Sequence, residues 1–289
     1  MMRIIQISDL HIGGLFKQDS FDTLVDEVNN DLKPDVLIIS GDLTDEGVYF
    51  QYEKAKKELS RFLSKNMIVF PGNHDYRHTG YLLFPQFFPD IGKSIDSKVH
   101  TYRHPENLNL KILITTVGTA VADRDEGEVG ESQNLWLNRV LKEDNKVDDR
   151  SIPEGSSSKK NTVKIVAMHH HLIAIPDTGY TNIVGISDAG DVLRTCLANN
   201  VDLIICGHKH RPWLWDFGQM KIAYAGTACS WRYRGVFEDT YNIIDIEKDG
   251  VLKVDIKIVG GDRMPLSDVV SRYDPEVRVT RIADMMSPD

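Results

Sequence analysis

Cysteine is scarce: the 289 residues contain three, Cys196, Cys206 and Cys229. They cannot form a disulfide framework, and the apolar surroundings of Cys206 and Cys196 mark them as core thiols before ligands. No apolar stretch reaches the ~18 residues that a membrane helix requires. The chain enters strand-like sequence at once, Arg3-Ile4-Ile5-Gln6-Ile7, with no signal peptide ahead of it, so a soluble protein of the reducing cytoplasm is the expectation. Positive charge is short as well: 34 Lys and Arg against 43 Asp and Glu leave a net charge of −9 and no segregated basic track. That balance argues against nucleic acid as a partner. It does not exclude phosphate chemistry, because bound cations invert the local field. Internal repeats and low-complexity tracts are absent too.

What is present is a string of short apolar runs separated by helical periods. Residues 3–8, Val36-Leu37-Ile38-Ile39 and 67–70 read as buried strands. Between them lie a helix over 19–31 with Phe21, Leu24, Val25 and Val28 on one face, and a helix over 50–64 burying Tyr52, Ala55, Leu59, Phe62 and Leu63. Strand, helix, strand, repeated, predicts parallel βαβ units with right-handed crossovers. Residues 76–108, rich in aromatics, read as packed short helices or a cap on the substrate side. Further strands are expected at 111–117, 163–168, 201–206, 221–225, 241–246 and 251–258. A helix carrying Leu135, Trp136, Val140 and Leu141 follows Gly130, and Asp188 is placed to cap another with Val192, Leu193, Cys196 and Leu197 inward. Residues 144–161 are polar and read as a mobile loop inserted in a catalytic domain spanning 1–259. The tail 260–289 lacks a clear period and is expected to pack on that domain or on a homodimer partner.

Five of the apolar runs end in side chains of metal-ligand type: Asp9-Leu10-His11, Gly41-Asp42, Gly72-Asn73-His74-Asp75, His169-His170-His171 and Gly207-His208-Lys209-His210. If the chain stays extended, Asp9 and His11, two apart, point the same way, and His208 and His210 repeat that spacing. Nitrogen and oxygen donors without thiolate favour manganese, iron, zinc or cobalt over a structural zinc–thiolate site. The donors are too many for one closed tetrahedral site, and two cations sharing a carboxylate account for the surplus.

The ordered set Asp9-Leu10-His11, Gly41-Asp42-Leu43-Thr44-Asp45, Gly72-Asn73-His74-Asp75, His169 and Gly207-His208-Lys209-His210 resembles the calcineurin-like metallophosphoesterase superfamily over residues 3 to about 230. The resemblance implies a four-layer α/β/β/α sandwich of two mixed sheets flanked by helices, with a dinuclear centre at the strand ends. It implies that Asp9, His11, Asp42 and His210 hold one metal and that Asn73, His169 and His208 complete the other, with Asp42 bridging. His74 would face the phosphate as proton donor or charge stabiliser. Asp45 and Asp75 would support that shell or cap turns; His170 and His171, where the family carries prolines after its histidine pair, would lie behind the ligands or face substrate. Arg232 and Arg234 would meet a phosphate or stay on a solvated surface.

Two cations about 3.5–4 Å apart would hold a bridging hydroxide for in-line attack on a phosphodiester. Gly-Asp-Leu-Thr-Asp and the compact length most resemble the cyclic-nucleotide phosphodiesterase branch, which makes a small 3',5'-cyclic nucleotide such as cAMP the expected substrate. Tyr76, Tyr180 and the Trp231-Arg232-Tyr233-Arg234 run are candidates to stack on a base, or simply pack. The alternatives are hydrolysis of a nucleic-acid end, a lipid-linked diphosphate or a phosphoprotein. From another class comes an inactive metal-binding scaffold, against which the unbroken ligand set speaks.

Overall fold

The computed structural model describes residues 1–89, 97–148, 161–176, 185–234 and 238–271. The chain opens with β1 (Met2–Ile7), α1 (Gln18–Asp26), β2 (Val36–Ser40), α2 (Tyr49–Leu59), β3 (Met67–Phe70) and α3 (Gly80–Phe87). It continues through β4 (Ser97–His104), β5 (Asn107–Val117), α4 (Gly130–Asp148), β6 (Thr162–Ala167), α5 (Ala189–Ala198) and β7 (Leu203–Cys206). It ends with β8 (Trp213–Asp216), β9 (Lys221–Tyr224), β10 (Thr240–Ile246), β11 (Leu252–Ile258), β12 (Arg263–Pro265) and α6 (Leu266–Ser271).

Two six-stranded mixed sheets form, in the orders β12-β11-β10-β1-β2-β3 and β4-β5-β6-β7-β9-β8. Strand pleating decides which side chains go where. Ile4, Val36, Ile38, Val163, Ile165 and Ala167 point between the sheets. Their neighbours Ile5, Ile7, Leu37 and Ile39 point outward under α1 and α2, against Phe21, Leu24, Tyr52 and Ala55. Val166, Ile204 and Ile222 do the same under α4 and α5, against Leu137, Leu141, Val192 and Cys196. Two sheets face to face, each covered by helices, make the four-layer α/β/β/α sandwich. β1, β2 and β3 run parallel, as do β5, β6, β7 and β9.

Several local expectations need correction. Residues 97–104 are not helical: β4 pairs antiparallel with β5 as a sheet edge, and among the described residues α3 and a short 3-10 turn at His74–Tyr76 answer to the aromatic segment. Leu63 is 74% exposed because α2 stops at Leu59, so the helical period no longer governs it. Leu197 is also exposed; Thr195 turns inward instead, beside the expected Val192 and Cys196. Asp188 stands at the N-cap of α5, but its carboxylate accepts from the Val129 and Gly130 N–H groups and caps the start of α4. α4 runs to Asp148, into the segment read as a loop, and residues 149–160 lie outside the described part. In the tail, β12 pairs with β11 and Leu266 of α6 is fully buried, so residues 263–271 pack on their own chain; 272–289 are not described. All three cysteines are free and buried. No helix among the described residues is long and apolar enough to cross a membrane.

Candidate metal centre

The parallel strands deliver their C-terminal ends to one rim of the sandwich, the edge where α/β sheets place their sites. Asp9 and His11 follow β1, Asp42 follows β2, and Asn73 and His74 follow β3; from the other sheet His169 follows β6, and His208 and His210 follow β7. The chain does not stay extended there. Asp9, His11, Asp42, His208 and His210 take φ of +56°, +47°, +51°, +71° and +51°, so left-handed turns, and not strand alternation, aim these side chains inward. The conformation costs about 1–2 kcal/mol per residue. Backbone bonds offset part of it: Asp9 N–H donates to Gly41 O at 3.1 Å, His11 N–H to Asp42 O at 2.9 Å, and His208 N–H to the Asp9 carboxylate at 3.1 Å. Gly41, at φ +91°, lets β2 turn against the His169 ring. Gly72 leaves room of another kind: a Cβ there would stand 2.5 Å from Asp42 N and 2.7 Å from His169 Cε1.

Donors converge in Asp9, His11, Asp42 and His210, in Asp42, His169 and His208, and in a third group, His11, Asp45 and His74, that shares His11 with the first. In the first, His11 Nε2 and His210 Nε2 face each other at 2.9 Å, with Asp9 Oδ1 3.2 Å from His210 Nε2 and Asp42 Oδ2 3.7 Å from His11 Nε2. In the second, Asp42 Oδ1 lies 3.4 Å from His169 Nε2, while Asn73 Oδ1 lies 3.1 Å from His169 Nε2 and 2.9 Å from His208 Nδ1. Donors set at right angles about a cation at ~2.1 Å stand about 3 Å apart, which these separations match. The two Asp42 oxygens thus face different clusters. Outer hydrogen bonds select the tautomers: His169 Nδ1–H donates to Ser40 O at 2.8 Å and His210 Nδ1–H to Arg232 O at 2.6 Å, leaving each Nε2 lone pair directed inward.

The electrostatics call for cations. Burial opposes ionisation of Asp42 and Asp9, yet the surrounding histidines, His169 foremost for Asp42 and His210 for Asp9, hold both carboxyls below their ordinary range. Burial likewise disfavours a charge on His169, but Asp42 and then Asp9 outweigh it and draw that imidazole up to about 9. Burial pushes His11 down to about 3 and His208 well below its usual value, the neutral state that a ligand needs. Asp42 Oδ2 is buried without a hydrogen-bond partner, an expensive state for a carboxylate oxygen unless a cation meets it. The residues fit a pair of divalent cations held by nitrogen and oxygen donors.

The neighbouring side chains sort out the remaining expectations. Asp45 lies behind the first cluster: its carboxylate is 2.7 Å from Arg232 Nη2 and 3.5 Å from His11 Nδ1, and its carbonyl accepts from His74 Nδ1–H at 2.7 Å. Burial works against the Asp45 charge, but His11 and Arg232 hold the carboxyl down to about 2. Arg232 is therefore committed to Asp45. Asp75 does not orient His74; it accepts from the N–H groups of Gly72, Leu43 and Thr44 and from the Thr44 hydroxyl, tying the ends of β2 and β3 together. His170 is bound at both ring nitrogens, to Thr119 Oγ1 and Asp125 O, and lies 4.4 Å from the His208 ring. The His171 ring stacks on that of His208, 5.7 Å between centroids. Both sit behind the ligands. Arg234 is exposed, and its charge adds to burial in lowering Lys209 to about 8. Tyr76 packs in the core against Phe84, Trp231 is 58% exposed with Lys17 Nζ 4.6 Å over its ring, and Tyr180 lies outside the described residues. One supporting residue has no signal in the sequence: Asp125, from the segment after β5, accepts from Asn73 Nδ2 at 3.2 Å and Arg77 Nη2 at 3.0 Å.

Residues 2–212 match the family model of the calcineurin-like phosphoesterases. The chain belongs to that family. Its dinuclear donor site makes it a metal-dependent phosphoesterase. Among its relatives, a cAMP/cGMP dual specificity phosphodiesterase of Mycobacterium tuberculosis is 25% identical over 239 residues, 78% of this chain and 67% of that one. A protein of Arcobacter nitrofigilis named "Probable glycerophosphodiester phosphodiesterase" is 27% identical over 222 residues, 73% of this chain and 72% of that one. The purple acid phosphatase PPD1 of yellow lupin shares the fold, with a TM-score of 0.62 at 11% identity; the match covers 97% of this chain and 57% of the lupin chain.

Proposed function

We propose that this phosphoesterase hydrolyses a phosphodiester, with a 3',5'-cyclic nucleotide as its substrate class. In this reading Asp9, His11, Asp42 and His210 would hold one cation and Asn73, His169 and His208, with Asp42 shared, the other. The observation that carries it is the split of the Asp42 carboxylate, Oδ1 toward His169 and Oδ2 toward His11, with the His74 peptide N–H donating to Oδ1 at 2.9 Å. When bound, the two cations supply a nucleophile at neutral pH by acidifying water and withdraw charge from the phosphoryl oxygens. The chain does the rest. His74, its Nδ1–H bound to the Asp45 carbonyl, keeps Nε2 as the position from which a proton can reach the leaving oxygen. Burial lowers the His74 pKa, with Asp42 opposing, which makes its imidazolium a stronger acid.

A diester, and not a monoester, fits the charge around His74. A phosphomonoester arrives as a dianion and calls for uncommitted cations. Here Arg77 is 3.0 Å from Asp125 and Arg232 2.7 Å from Asp45, so both arginines beside His74 are already paired. The names of the mycobacterial and Arcobacter relatives agree on a diester and differ on which one. Manganese-supplemented hydrolysis of 3',5'-cyclic AMP, 2',3'-cyclic AMP, bis(p-nitrophenyl) phosphate and p-nitrophenyl phosphate, compared as kcat/KM, tests the reading. Preference for 3',5'-cyclic AMP is the expected result. Strong turnover of the other diesters alone would remove the cyclic-nucleotide assignment, and preference for p-nitrophenyl phosphate would remove the diesterase reading itself.

A further inference from the structure

An asparagine amide is a cation ligand in only one of its two orientations. Oxygen forward, it donates a lone pair; turned by 180°, it presents an NH2 that repels the cation. Within the ligand cluster the first choice at Asn73 is favoured only while His169 carries its proton; once both rings are neutral, as ligands must be, the nitrogens of His169 and His208 that face the amide could accept from an NH2 as readily as they meet the oxygen. The constraint then comes from the far side of the amide, where among the described residues a carboxylate stands: Asp125 Oδ1, 3.2 Å from Asn73 Nδ2. An ionised carboxylate only accepts, so it can face the NH2 and not the carbonyl oxygen. Arg77 Nη2, 3.0 Å from the same Oδ1, favours that ionised form.

Asp125 braces the same side of the centre a second time. Its carbonyl accepts from His170 Nε2 at 3.2 Å, and the His170 ring lies against His208. The segment around it is sewn down by Glu128 N–H to Thr119 O, Gly127 N–H to Gly185 O and Asp123 N–H to Tyr76 O. The first cluster leans on other groups, with Asp45 and Arg232 behind His11 and His210, and Thr227 Oγ1 on the Asp9 carbonyl at 2.7 Å.

We propose that Asp125 is a positioning residue that locks the Asn73 amide oxygen forward, and that it sets the affinity of the second cation site without touching the first. The inference rests on the ligand roles proposed above. The test is manganese binding to the metal-stripped full chain, by calorimetry and by the manganese spin signal, with circular dichroism and melting as folding controls. The parent binds two ions. In Asp125→Ala one site is expected to weaken 10–100-fold while the other keeps its affinity. Asp125→Asn, whose own amide oxygen can still accept from Asn73, is expected to fall between the two. Asn73→Ala weakens the same site, and adding Asp125→Ala to it costs little more, because the residue acts through the amide. If Asp125→Ala binds both ions with parental affinity while Asn73→Ala loses one, the lock is refuted and the ligand reading stands. If Asn73→Ala itself binds two ions normally, the ligand reading falls. Equal weakening at both sites in Asp125→Ala, with a lowered melting temperature, would make Asp125 a general fold residue and overturn the proposal.

Discussion

Replacing Gly72 by alanine separates contact from backbone strain at the centre. Its φ lies outside the left-handed region, so alanine meets no conformational penalty; the whole effect comes from the added methyl group. That methyl would press hardest on Asp42 Oδ1 and stand 2.5 Å from Asp42 N and 2.7 Å from His169 Cε1, where ordinary contact begins at 3.4 Å, so Asp42 must retreat by about 0.9 Å or more and His169 by about 0.7 Å. Neither can do so cheaply, because Asp42 and His169 are fully buried and His169 Nδ1 is bound to Ser40 O. Overpacking of this kind costs about 1–3 kcal/mol, and for a chain of this size that lowers the melting temperature by about 2–5 °C. The metal site is the more sensitive reporter, since ligand distances tolerate about ±0.2 Å. Manganese affinity should fall more than tenfold at both sites, because Asp42, the group pressed hardest, serves both. Gly14→Ala is the control, because nothing lies within 4 Å of a Cβ there. Calorimetric titration and thermal melting decide it. A Gly72→Ala protein that binds two ions as the parent does would refute the claim that Asp42 and His169 sit on this glycine at ligand distance.

His74→Ala should leave manganese stoichiometry at two and KM little changed while kcat falls about 10²–10⁴-fold, the usual loss for a general acid; equal turnover in mutant and parent would reject the role. Far from the centre, burial first and Lys98 second lower the β4 residue His100 to about 4. The unfolded chain then binds more protons than the folded one between about pH 6.5 and 4, so this histidine costs stability progressively as pH falls through that window. His100→Gln should therefore flatten the decline of melting temperature from pH 7 to pH 4 relative to the parent, and an unchanged slope would refute the assignment.

The ligand loops were legible because each depends on a local pattern: a β-branched, apolar run that must be a buried strand, then a turn, then a donor. Parallel strand order brings such turns together whatever their sequence separation, so Asp9, Asp42, Asn73, His169 and His208 could be read together before any contact was known. What supports them could not be read that way. Asp125 reaches Asn73 across 52 residues, from a segment with no period and no motif, and only the closing of the second sheet onto the first brings it there. The same physics explains the smaller errors. Leu63 has the spacing of a core residue but lies past the end of α2. Asp188 has the position of a helix cap but finds better donors at Val129 and Gly130, on a different helix. Asp75 adjoins His74 in sequence yet serves the turn after β2, because three N–H groups and a hydroxyl outbid one imidazole for a buried carboxylate. Chemistry confined to one strand end is written locally. The orientation of that chemistry is set by partners chosen only when the sheets meet, which is why the order of the five donor-bearing loops implies a dinuclear hydrolase while the orientation of their side chains depends on residues such as Asp125 and Arg232.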